Sequence, residues 1–169
     1  SDVIGHLNAG APARAVAAMA DWDDEGAARK PTRRRSAEYA LMAVRAWKSA
    51  RPQSRDANRY LLRILVSLNR IDDSGQPLRQ ELASAPVRDK ISALRALPQL
   101  YAHASDKARA ARVVEQALEP DLTNPAVGPM AWTAIGRMRL AAGDKPGALQ
   151  AAHSAQALDG TDDGAALLA

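Results

Sequence analysis

Acids stand side by side three times in this chain, as Asp23 with Asp24, Asp72 with Asp73 and Asp162 with Asp163. Paired carboxylates suit general acid and base catalysis when burial drives their pKa values apart. Each of these pairs lies among turn residues, where neighbouring acids cap the helix that follows, and Asp72 to Ser74 are placed for that. The histidines, His6, His103 and His153, are too widely spaced for two to bind a metal from one helix, so no metal site is expected. Cysteine is absent, which removes disulfides, thiolate ligands and thiol nucleophiles together. There is no glycine-rich phosphate loop and no Gly-x-Ser-x-Gly elbow. The expectation is a protein that is not an enzyme and needs no cofactor.

Arginine is the remaining chemical resource: 18 of the 23 basic residues are Arg, set against 19 acids for a formal charge of +4. Arg29, Lys30, Arg33, Arg34 and Arg35 form one basic run, next to the acidic Asp21 to Glu25. Phosphate recognition would require the basic residues to continue along one face with aromatics to stack on bases. The nearest aromatics, Trp22, Tyr39 and Trp47, fall in amphipathic helices where packing accounts for them. A solvated linker is the favoured reading of the run. A regulatory or nucleic-acid-associated protein that uses Arg29 to Arg35 is the alternative.

The elements that must position these groups are helical. About a fifth of the residues are alanine, phenylalanine is absent and β-branched residues are sparse, a balance that favours closely approaching helices over sheets. Turn signals fall at Asn8 to Gly10, Lys30 to Thr32, Arg51 to Gln53, Asp72 to Gly75, Ala85-Pro86, Ser105-Asp106, Thr123 to Pro125, Ala142 to Asp144 and Asp159-Gly160. Between them Leu61, Leu62, Ile64, Leu65 and Leu68 follow helical spacing, as do Ile91, Leu94, Leu97 and Tyr101. Pro98 is expected to kink its helix or end the first half of it. A short helix is expected from Pro12 to about Trp22, and Asp23 to Arg35 as a linker. No apolar run reaches the length that spans a bilayer. The chain begins without Met and ends on Ala165 to Ala169, which looks like the start of a further helix, so a fragment of a longer protein is expected.

Helices of this length at a nearly constant interval call for a repeat test. Trp132, Ile135, Gly136, Gly143, Asp144, Ala148, Ala152 and Ala155 have the spacing of a tetratricopeptide repeat, with Gly136 and Ala148 small enough for two backbones to touch. Leu94, Leu97, Tyr101, Ser105, Asp106, Ala110, Val114 and Ala117 take corresponding places upstream, and Pro52 and Pro86 stand one repeat of about 34 residues apart. The chain thus resembles the tetratricopeptide family over about residues 37 to 160. It departs from the family pattern at Arg139 and Ala152, where aromatics are usual, and at Gly160, where proline is usual. The resemblance implies an all-α fold, a tetratricopeptide-like α-solenoid of antiparallel helix pairs. Residues 1–36 would hold the N-terminal helix and charged linker, and 37–169 about three and a half repeats.

In that family the first helix of each pair lines a concave surface where partners bind. The resemblance places Arg59 and Arg63, Arg95 and Gln99, and Thr133 and Arg137 on successive first helices, each pair one turn apart. Arginine presents a planar fork to carboxylates. The implied function is a protein–protein interaction scaffold that binds an acidic peptide, a C-terminal carboxylate or a subunit on its concave face. Self-association through uncapped repeat ends, near Tyr39 or Asp163, is a further expectation. Analogy to bacterial tetratricopeptide proteins of envelope assembly and secretion implies a periplasmic or membrane-associated parent protein.

Overall fold

A computed structural model describes residues 31–167, with the side chains of residues 34–160. The described residues are all-α: seven α-helices, one 3-10 turn and no strand. In chain order these are α1 (Pro31–Ala50), α2 (Arg55–Ser67), α3 (Ile71–Ser84), α4 (Val87–Leu100), α5 (Lys107–Leu118), the 3-10 turn Glu119–Asp121, α6 (Gly128–Ala141) and α7 (Lys145–Leu167). The chain divides into two compact units, Ser1–Pro77 and Leu78–Ala169, and the boundary falls inside α3.

Short polar signals set the helix ends. The side chains of Ser54, Asp106 and Asp144 accept the backbone N–H three residues on, from Ala57, Arg109 and Gly147, at 3.2, 2.9 and 2.9 Å. Each satisfies a donor that the first helical turn leaves without an intrahelical acceptor. Two helices stop by the same device at the other end. Asn69 and Gly143 have φ of 58° and 82°. The following N–H groups, of Arg70 and Asp144, reach back five residues to the carbonyls of Leu65 and Arg139 at 2.8 and 2.9 Å. This closes a Schellman motif, for which Gly and Asn are suited because they tolerate the left-handed region.

In the first unit α1 packs on α2. The buried faces are Ala40, Leu41, Val44 and Trp47 from α1 and Ala57, Leu61, Ile64 and Leu65 from α2, with Ala43, Tyr60 and Leu68 partly buried against them. In the second unit α6 is central and packs on α4, α5 and α7. Its buried residues Ala131, Ala134, Ile135 and Met138 follow the spacing of one helical face. Gly136 allows α7 to come close, since a Cβ there would stand 3.4 Å from both the Ala148 carbonyl oxygen and the Ala151 Cβ.

Four expectations about boundaries are corrected. Asp72 to Gly75 do not form a turn but lie in the first turns of α3, where acids favour the positive end of the helix dipole; the turn is at Leu68 to Arg70. The basic run is not wholly linker, because α1 begins at Pro31 and takes in Arg33 to Arg35. Proline at a first helical position costs no hydrogen bond. Pro98 does not end the first half of α4, which continues to Leu100; in the last turn the ring removes only the donor for the Leu94 carbonyl. Gly160 is helical, within an α7 that runs to Leu167, so no new helix starts near Asp163. The helix expected from Pro12 to Trp22 lies outside the described residues.

Candidate partner-binding site

The α2 helix fixes the first pair of arginines. Its apolar face is buried against α1, so Arg59 and Arg63, one turn apart on the other face, are exposed. Asn58 holds the helix from the inside. This side chain is 1 % exposed, accepts from Lys48 Nζ at 2.7 Å and donates through Nδ2 to the Pro77 carbonyl at 2.8 Å. Burial lowers the pKa of Lys48 below the ordinary lysine range.

Arg59 and Arg63 line a cleft of about 420 Å³ together with Trp47, Asp56 and Tyr60. The rings of Trp47 and Tyr60 are tilted by 39° with centroids 5.8 Å apart, within the separation at which aromatic pairs attract. Trp47 is 8 % exposed, and its indole N–H is buried without an acceptor. Arg59 Nη1 lies 3.9 Å from Asp56 Oδ1, a long ion pair between solvent-exposed side chains. The arrangement sets two cations beside an aromatic floor.

The other predicted residues belong to the second unit. Arg95 and Gln99 are exposed on α4, and Thr133 and Arg137 are exposed on α6, the helix against which α4 packs. The Thr133 hydroxyl donates to the Pro129 carbonyl at 2.8 Å, an internal helix bond. The expectation of packing alone for Trp47 omits the aromatic component of the first-unit cleft, which Trp47 and Tyr60 line. Tyr60, adjacent to Arg59 and thirteen residues beyond Trp47, was the available signal.

Two further ionic contacts in the second unit are structural. Arg139 Nη2 bonds Glu115 Oε1 at 2.6 Å and Arg139 Nη1 bonds the Gly147 carbonyl at 3.0 Å, so one guanidinium ties α6 to α5 and to the start of α7. Lys90 Nζ lies 3.0 Å from Asp121 Oδ1, with side-chain exposures of only 17 % and 9 %. Among the described residues no three His, Asp or Glu side chains gather as metal ligands, and no described helix is long and apolar enough to cross a membrane.

Compared with protein-family models, curated proteins and solved structures, the chain finds no match in any of the three.

Proposed function

We propose that the chain is a tetratricopeptide-like interaction module that holds an acidic peptide segment, with a free C-terminal carboxylate as the preferred anchor. The observation that carries this reading is the cleft on α2, where Arg59 and Arg63 stand one turn apart beside the Trp47 and Tyr60 rings. Two guanidinium forks can bind a carboxylate pair in bidentate fashion, and the aromatic floor accepts an aliphatic or aromatic side chain next to it. The alternation of helices and short capped turns supports the repeat assignment. In such a stack α2, α4 and α6 are the first helices of their pairs, and the second unit offers its own exposed set in Arg95, Gln99, Thr133 and Arg137.

Fluorescence anisotropy with a labelled Glu- and Leu-rich peptide tests the reading. The peptide is offered with a free C-terminus, with an amidated C-terminus, and with Lys in place of Glu. The free acid is expected to bind best and the Lys peptide not at all. Replacing Arg59 and Arg63 by Ala should weaken binding by roughly tenfold or more, as charge-assisted hydrogen bonds of about 1.5 to 3 kcal/mol are lost. Equal binding of the acidic and basic peptides, or of the parent and the double variant, would exclude this cleft.

A further inference from the structure

α1 carries apolar side chains on two faces, and its packing on α2 uses one of them. Ala37, Ala40, Leu41, Val44 and Trp47 point inward and are buried. On the opposite side Tyr39 and Met42 are 71 % and 69 % exposed, more than any other large apolar side chain described. They lie one turn apart and, with Arg35 and Glu38, border a cleft of about 430 Å³. Arg45, also exposed, lies on the same flank of the helix as Glu38, two turns further on.

We propose that this face of α1 is a self-association surface, occupied by α1 of a second copy in antiparallel orientation. A two-fold axis midway between Tyr39 and Met42 sets each Tyr39 against the partner's Met42, a sulfur–aromatic contact made twice. The same axis brings the partner's Arg45 to within about 3 Å, along the helix direction, of the level of Glu38, since each residue rises about 1.5 Å. Apolar thus meets apolar and acid meets base. A parallel pair would set each residue beside its own copy, with Glu38 against Glu38 and Arg45 against Arg45. The patch is self-complementary only in the antiparallel sense, which is why a second copy is its occupant. One helical face is smaller than a standard interface of about 800 Å² per partner, so the association is weak and concentration-dependent. It is independent of peptide binding on α2.

Sedimentation velocity of the whole chain over a concentration series is the test. The parent's weight-average mass should climb from one chain toward two. Met42→Lys should hold it at one chain, and at concentrations where the parent is also one chain the two should melt alike, because the side chain is exposed. Glu38→Arg should weaken association, and adding Arg45→Glu should restore it. The absence of cysteine permits a register check that spares all four contact residues. In this geometry Arg35 lies opposite the partner's Ala46, so mixed Arg35→Cys and Ala46→Cys chains should cross-link on mild oxidation several times faster than either alone. A parent that stays at one chain at every concentration overturns the proposal and leaves the face to another occupant. So does a dimer that Met42→Lys leaves intact, or one in which like variants cross-link as fast as the mixture.

Discussion

Gly136 and Ala148 meet at the closest approach of α6 and α7: a Cβ on the glycine would stand 3.4 Å from the Ala148 carbonyl oxygen. That is ordinary contact for a methyl group and leaves no room for a branched side chain. Gly136→Ala should therefore melt at or above the parent, helped by a helix propensity gain of about 0.5 to 1 kcal/mol. Gly136→Leu should lose about 1 to 3 kcal/mol through overpacking. Thermal denaturation followed by circular dichroism checks both. If the leucine variant melts like the parent, the two helices do not pack through this pair.

Asn58 links three elements, receiving a hydrogen bond from Lys48 on α1 and giving one to the Pro77 carbonyl on α3. Asn58→Leu keeps the branching and the number of side-chain heavy atoms and removes both bonds. It should cost about 1 to 3 kcal/mol, the range for leaving buried partners unsatisfied. Urea denaturation would measure it, and an unchanged midpoint would mean that solvent replaces the bonds.

Lys48 gives a pH signature. Its pKa in the folded chain is lowered by burial, against an ordinary value of about 10.4 in the unfolded chain. Between the two values the unfolded chain holds a proton that the folded chain has released. The burial cost is thus fully present below the folded pKa and is relieved as pH rises toward the unfolded one. In denaturation series across the alkaline range, stability should rise more with pH in the parent than in Lys48→Gln. Parallel curves would count against the burial.

Lys90 and Asp121 form a shielded ion pair, whereas Arg70 and Asp73, at 3.0 Å, are about half exposed. Lys90→Met would leave the Asp121 carboxylate buried and unpaired, at a cost on the order of 3 kcal/mol. Arg70→Ala should change stability by less than about 1 kcal/mol, as exposed pairs do. Equal effects from the two changes in chemical denaturation would show that burial does not separate them.

Much of this architecture is legible in the sequence because the signals are local. Pro52, Pro86, Asp106 and Gly143 each lie in a turn or at a helix start, and the apolar spacing around Leu61 and Leu94 matches the buried faces. The misplaced turn at Asp72 to Gly75 arose because acids and a glycine suit a turn and a first helical turn alike. Asn69, whose side chain tolerates positive φ, marks the real one. Gly160 stays within its helix because a single glycine weakens a helix by only about 1 kcal/mol, which flanking helix formers can absorb. The six predicted site residues are all exposed, as one face of an amphipathic helix requires. That Trp47 and Tyr60 adjoin Arg59 and Arg63 depends on how α1 crosses α2, which no single-helix pattern encodes.

The most direct test of peptide binding on α2 is a titration of isotopically labelled protein with the Glu- and Leu-rich free-acid peptide, followed by amide and indole chemical shifts. Binding in the proposed cleft predicts shifts concentrated on residues 55–67 and on the Trp47 indole N–H, lost when Arg59 and Arg63 are replaced by alanine. Shifts confined to other helices or loops, with the Trp47 signal unmoved, would contradict it.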